Sequence, residues 1–232
     1  MMDTAKPNTA HIISTPWGEL RPQVDIKPLL ALIVIYAVAY FIPFGFFNWL
    51  RQGDDGLIQW IQFFCYSFAA LFSAVVACRG TNMGTGRQRR SWWLLAAFNL
   101  FVAAEEISWG ERLTGVGLGF IREVNTQGET TLHNMEALQG GLHVSFIITG
   151  LIFGYLGWRF WPKLTAFPRR WFSLYFLPVS AFYAYFDLSW IANLDRIRND
   201  QEIFECLLAI GLALHAWWSF KVYVLSDRSV ED

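Results

Sequence analysis

Long apolar runs separated by short polar segments set the pattern of this chain. Six runs approach the roughly 20 apolar residues that a helix needs to cross a hydrocarbon layer of about 30 Å: 29–50, 57–78, 91–109, 141–161, 171–194 and 202–225. The polar segment 1–28 precedes them, and 226–232 follows as a tail. The first run is too long and too aromatic for a signal-peptide core, and no small-residue cleavage site follows it, so it reads as a retained span. Just before it, Thr15-Pro16-Trp17-Gly18-Glu19 suits a short interfacial turn of helix capped by Thr15, with Pro16 at its first position. Pro43 and Pro178 are expected to kink the first and fifth spans. Gly150 and Gly154 form a small-xxx-small pair that lets the fourth span approach a neighbour within the monomer.

No internal repeat, low-complexity tract or long linker divides the chain. The longest connection, 110–140, begins with the glycine-rich GVGLG and continues with a helical pattern. The expected fold is therefore all-α: an integral membrane bundle of about six transmembrane helices, 29–225, with a partly helical extracytoplasmic loop between spans 3 and 4.

Composition agrees with a membrane class. Of the 232 residues, 54% are hydrophobic, 18% aromatic and only 16% charged, and the mean hydropathy is positive. A net charge of -1 without a basic patch argues against nucleic acid as a partner and leaves membrane lipids or membrane-protein complex partners. Cys65, Cys78 and Cys206 have neither disulfide-framework nor metal-ligand spacing and read as three buried thiols.

Charge bias supplies the orientation. With the N-terminus inside, Lys6, Arg21, Lys27, Arg79, Arg87, Arg89, Arg90, Arg159, Lys163, Arg169, Arg170, Lys221 and Arg228 lie on the inner side, 13 of the 18 basic residues. Arg51, Arg112, Arg122, Arg196 and Arg198 lie outside. Both termini are thus expected in the cytoplasm. Trp49, Trp92, Trp93, Trp109, Trp158, Trp161, Trp171 and Trp190 fall near the proposed ends, where an indole sits at headgroup level.

The candidate chemistry is concentrated toward the outer side. Glu105 and Glu106 lie about one turn below the outer end of span 3, Asp187 about two turns below that of span 5, and Glu205 about one turn inside span 6. An ionisable group in a span is costly enough to mark a candidate site, although structural ion pairing, Glu105 with Arg112 for example, explains such groups as well. Within span 3, Glu105, Ser108, Trp109 and Arg112 share a face by their i, i+3, i+4, i+7 spacing, and Glu106 points away. Thr126-Gln127-Gly128-Glu129 matches a capping box, which would put Glu129, His133 and Glu136 on one face of a surface helix. Glu129 and His133 then serve either as a cap and a solvated imidazole or as metal ligands or an acid/base pair. Asn199-Asp200-Gln201-Glu202 repeats the capping pattern, which accounts for Glu202 but not Glu205. His143 sits near the start of span 4, either in the site or in the interface. His215 lies about 15 Å deeper than Glu205 by helix rise; in GLALHAWW it is a core histidine or, as an alternative, an axial ligand of a pigment or haem.

EEISWGERLTG (105–115) and NTQGETTLHN (125–134) together resemble uncharacterised bacterial multi-pass inner-membrane proteins carrying E-E-I-S-W-G-x-R followed by N-x-Q-G-E-x-x-L-H-N. The resemblance covers about thirty residues and implies a bacterial inner-membrane location; it implies no chemistry. Membrane hydrolases of the alkaline-ceramidase and adiponectin-receptor type use three His, an Asp and a Ser around zinc, and this chain lacks their terminal His-x-x-x-His.

Two further readings follow beside the pigment carrier. One is an enzyme acting on a lipid or other amphipathic substrate. Glu105, Glu129, His133 and Glu205 would be its catalytic groups or its ligands for a divalent metal, and Ser108, Trp109, Arg112, Asn134 and Asp187 would bind substrate, Arg112 holding an anionic headgroup. The other is a non-catalytic subunit or assembly factor of a larger membrane complex.

The charge bias predicts that reporter fusions at Gly84 and Phe167 report cytoplasm, and fusions at Leu118 and Ile197 the far side. A cytoplasmic signal at Leu118 would remove the case for an outer-face site.

Overall fold

Apolar stretches become helices because a helix satisfies its own backbone hydrogen bonds and leaves only side chains to face the surroundings. The computed structural model describes residues 13–15, 18–20, 26–42, 44–46, 56–80, 86–125, 128–132, 135–186 and 200–225. Strands β1 (Ile13–Thr15) and β2 (Gly18–Leu20) come first. The helices are α1 (Lys27–Phe41), α2 (Leu57–Arg79), α3 (Gly86–Glu106), α4 (Glu111–Thr114), α5 (Gly119–Arg122), α6 (Glu136–Leu151), α7 (Gly157–Phe160), α8 (Ser173–Phe186) and α9 (Gln201–Phe220). A π-turn, Ile152–Leu156, joins α6 to α7.

Among the described residues, three helical stretches are long and apolar enough to cross a membrane: Leu57–Arg79, Gly141–Phe160 and Gln201–Val224. The third predicted span has the length, 21 residues, but carries Arg87, Arg89 and Arg90 at its head and Glu105 and Glu106 at its end. The first is shorter than its apolar run: α1 has 15 residues, about 22 Å. It stops where Ile42 turns extended (φ −100°, ψ 113°), the conformation that a residue preceding proline favours. Pro43, and the part of the fifth run beyond Phe186, lie outside the described residues.

α2 packs along α3 on one side and α9 on the other; α8 bridges α9 and α6, and α1 lies against α9. The core contains Tyr66, Trp92, Phe172, Tyr175, Phe176, Tyr183, Leu208 and Leu212, all but excluded from the surface.

Three expectations are corrected. Thr15, Gly18 and Glu19 are not helical: Thr15 pairs with Gly18 and Ser14 with Glu19 in an antiparallel ladder that replaces the expected helical turn; Pro16 and Trp17 lie outside the described residues. Trp92 presents no indole to a headgroup layer; it is fully buried in the protein, donates its indole N–H to Thr165 Oγ1 (2.9 Å) and stacks on His215. Among the thiols Cys206 is buried, Cys65 partly so, and Cys78 is exposed at the end of α2.

The fourth span meets α8 closely because of its glycines. A Cβ on Gly150 would lie 2.7 Å from the Phe176 carbonyl oxygen, and one on Gly154 would lie 2.8 Å from the Leu177 side chain. Ser180 Oγ donates to the Ile147 carbonyl (2.7 Å). The Gly154 carbonyl, in the π-turn, receives Ser173 Oγ and the Trp158 indole N–H. The small pair thus packs within one chain. Gly150→Ala should cost about 1–3 kcal/mol through this overpacking, read as a lower melting temperature in detergent. Gly141→Ala, whose Cβ meets nothing within 4 Å, should be neutral or stabilising by up to about 1 kcal/mol. Equal stability of Gly150→Ala and the parent would contradict the close approach of α6 and α8.

Candidate functional site

The site begins where α3 ends. Ser108 (φ 50°), Trp109 (φ 55°) and Gly110 (φ 90°) follow one another in the left-handed region. Glycine enters it freely; Ser and Trp do so at a cost of about 1–3 kcal/mol each. Side-chain bonds hold the reversal in place. The Trp109 indole N–H donates to Glu105 Oε1, Ser108 Oγ donates to Glu129 Oε2 (2.9 Å), and Arg112 Nε donates to Ser108 Oγ (3.2 Å). The expected continuous helical face over 105–112 therefore does not exist, although its i, i+4 pairs Glu105–Trp109 and Ser108–Arg112 do.

The reversal lets the loop fold back onto the helix end. Asn125 shapes the returning segment: its Nδ2 donates to the Thr131 carbonyl and hydroxyl at 2.7 and 2.8 Å, and its Oδ1 accepts the Glu129 N–H at 3.3 Å. An isolated antiparallel bridge joins Asn125 to Met135, and Gly128 stands at φ 71°. Residues 128–132 are consequently a turn, and helix resumes only at Glu136. This corrects the capping-box reading: Glu129 starts no helix and shares no helical face with Glu136, because the Asn125 side chain and Gly128 commit the backbone to a turn. His133 and Asn134 lie outside the described residues, as do Thr126 and Gln127.

Carboxylates fasten this turn to the bundle. Glu105, buried, accepts the Leu132 backbone N–H at its Oε2 (2.8 Å). Glu111 Oε2 accepts the Thr130 N–H (2.7 Å), Thr130 Oγ1 accepts the Leu118 N–H (2.8 Å), and Arg122 Nε lies 3.4 Å from Glu111 Oε1. Gly117 leaves room for that carboxylate, since a Cβ there would stand 2.5 Å from Glu111 Oε2. Arg112 reaches Glu129 Oε2 through Nη2 (3.2 Å) and Gln59 Oε1 through Nη1. It thus pairs with Glu129, where the ion-pair reading had named Glu105, and the turn and α2 already engage the guanidinium that was expected to hold an anionic headgroup.

Beneath the turn lies a cavity of about 470 Å³ between α2, α3, α6 and α9. Its wall is mainly apolar, with Phe98, Phe101, Val102, Leu142, Phe146 and Leu208 among its lining, but Tyr66, Glu105, Glu106 and Glu205 also face it. Glu105 and Glu205 thus line one space, as a single site requires. Glu106 lines it too, contrary to the helical-face argument, because Phe98, Val102 and Glu106 follow at four-residue steps on α3 and share the strip that faces the cavity with Phe101 and Glu105. Tyr183 donates its hydroxyl to Glu205 and stacks on Phe146, and the His143 ring lies 5.4 Å from Tyr183. Glu106 feels Glu205, Glu202 and Glu105 as neighbouring like charges and Arg112 as the opposite one.

The sequence reading passed over Gln59, Gln62 and Tyr66. All three are buried on α2, and their i, i+3, i+7 spacing is a polar stripe within an apolar helix that pattern alone can reveal. Gln62 Nε2 donates to Glu202 Oε2 and to the Glu202 carbonyl, both at 3.0 Å. Glu202 is therefore tied to α2; Asn199, the cap of the box expected to include it, lies outside the described residues. Asp200 stands at the N-cap position of α9 without a side-chain cap bond, and its Oδ2 accepts the Tyr36 hydroxyl (2.8 Å). Asp187 lies outside the described residues.

Among the described residues, no group of three or more His, Cys, Asp or Glu side chains is placed to hold a metal ion. Glu129 lies across the turn, bonded to Arg112 and Ser108, while Glu105 and Glu205 face the cavity, so the expected ligand set of Glu105, Glu129 and Glu205 does not converge. His215 is fully buried, with Nε2 3.1 Å from the Ala166 carbonyl, a stacked Trp92 and an edge-on Phe172. A macrocycle would need the space those two rings fill. Comparison of the chain with protein-family models, curated proteins and solved structures gives no match.

Glu111 makes the turn pH-sensitive. The hydrogen bonds of Thr130, chiefly, and the nearby Arg122 and Arg112 hold its carboxyl below the ordinary value of 4.5. A depressed folded value stabilises the docked turn above pH 4.5 and loses that effect as pH falls through the lower folded value. A spin label at Leu118 should gain mobility on acidification through that window, and Glu111→Gln should be equally mobile at neutral and acid pH. A pH-independent parent would refute this coupling.

Proposed function

We propose that this is a six-span bacterial inner-membrane protein with both termini in the cytoplasm, whose cavity at the outer-leaflet level binds an amphipathic molecule. One observation carries the reading: a space of about 470 Å³ with an apolar wall also exposes Glu105, Glu106, Glu205 and Tyr66. That volume lies within the range of small-molecule sites, roughly 300–1,000 Å³. An apolar wall takes a chain and convergent polar groups take a head. Charge bias supports the orientation, and the three apolar helices support membrane residence. The resemblance of 105–134 to bacterial inner-membrane proteins favours the same location. Chemistry on the bound molecule would fall to Glu106, which lines the cavity and makes no hydrogen bond among the described residues.

Gly141 provides the test, since it lines the cavity and a Cβ there meets open space. Gly141→Phe should fill the cavity while leaving the melting temperature unchanged or raised. Native mass spectrometry of the purified protein should then show co-purifying amphiphile in the parent and its loss in the variant. Equal retention by both would overturn the binding reading and favour the assembly-subunit alternative.

A further inference from the structure

Segment 109–124 wears its polarity reversed. Glu111 accepts the Thr130 N–H, Arg112 reaches Glu129 and Gln59, and Arg122, although half-exposed, donates to the Gly128 carbonyl beside Glu111. These charged groups are turned onto the protein. The large apolar side chains are turned away from it: Trp109, Leu113, Val116, Leu118, Phe120 and Val124 are all about half-exposed or more, Val116 at 77% and Phe120 at 71%. A loop surrounded by water shows the opposite arrangement, because apolar area is driven out of water and charge is solvated best within it. So many exposed apolar side chains on one short segment mark an interaction surface.

Continuity with α3 indicates what that surface meets. Leu94, Leu100 and Phe101 are exposed along a helix of 21 residues, long enough to cross a membrane. Phe101 meets the Trp109 ring edge-on, with centroids 5.7 Å apart, so the apolar strip of the helix runs directly into the loop. The Trp109 N–H is satisfied by Glu105 while its ring stays half-exposed, an arrangement suited to the boundary between hydrocarbon and headgroups. A bilayer that already surrounds α3 covers the loop simply by continuing past the helix end. Glu123 is exposed beside Arg122, so adjacent charges of opposite sign edge the segment and no anionic lipid is required.

We propose that 109–124 lies in the headgroup–acyl boundary of the membrane at this end of α3, with Val116 and Phe120 among the upper acyl chains of neutral phospholipid. The chain over the cavity is then held from two sides, by lipid on its apolar face and by the bonds of Glu111, Arg112 and Arg122 on its polar one. The inference rests on the membrane placement proposed above and is independent of what occupies the cavity.

The test places benzoylphenylalanine, a photoreactive residue that inserts into C–H bonds, singly at Val116, Phe120, Leu71 and Arg87 of the full chain. Leu71, 60% exposed on α2, reports the hydrocarbon, and Arg87, exposed in the charged head of α3, reports polar surroundings. After irradiation in phosphatidylcholine nanodiscs, intact-mass measurement should show lipid adducts at 116 and 120 in yields comparable to that at Leu71 and well above that at Arg87. Irradiation in native membranes should again give lipid adducts at 116 and 120. Yields there no higher than at Arg87, beside a strong adduct at Leu71, would overturn the interfacial loop and leave the membrane placement standing. A crosslink to a second copy or to another protein, replacing the lipid adduct in native membranes, would overturn it in favour of protein docking. Absence of lipid adducts at 71, 116 and 120 alike would remove the membrane placement as well.

Discussion

A carboxylate set into an apolar wall must be met by donors, and Glu105 is where this chain meets that requirement. One oxygen receives the Trp109 indole and the other the Leu132 backbone N–H. The first bond helps hold Ser108 and Trp109 in a backbone region that neither favours, and the second brings the returning loop over the helix end. Removing the carboxylate would release both. Reversal, turn and cavity roof therefore depend on one buried acid at the end of a helix.

Other charges on the loop act within that frame. Arg112 joins α2 to the turn through Gln59 and Glu129, and Glu111 holds Thr130 under a chain that passes closely enough to require glycine at 117. Structural ion pairing, weighed against a binding site from the sequence, describes two acids of the loop among the described residues. Glu111 and Glu129 belong to the scaffold, paired with arginines. Glu105, Glu106 and Glu205 face the cavity instead.

Deeper packing places these groups without touching them. The glycines of the fourth span let α8 approach, which sets Tyr183 against Phe146 and beside Glu205. The Gln62–Glu202 bonds fix α2 against α9 near Tyr66. His215 serves this packing, pressed between Trp92 and Phe172 with its Nε2 on a carbonyl.

The sequence by itself determined the helical class and the apolar helices, because a long apolar run has few ways to satisfy its backbone. It also determined that Glu105 and Glu205 sit near helix ends, since counting turns along a helix needs no tertiary information. Local rules failed where a distant group competes with the local one. The capping pattern at Thr126–Glu129 yields to Asn125 bridging to Thr131, the face containing Glu105 is cut by the left-handed reversal, and Trp92 is buried against His215. Only the tertiary structure decided which arginine each loop acid meets, that Glu106 joins the cavity, and that Tyr66 lines it. Those outcomes depend on which helices become neighbours and at what height, and spacing along one helix carries no information about either.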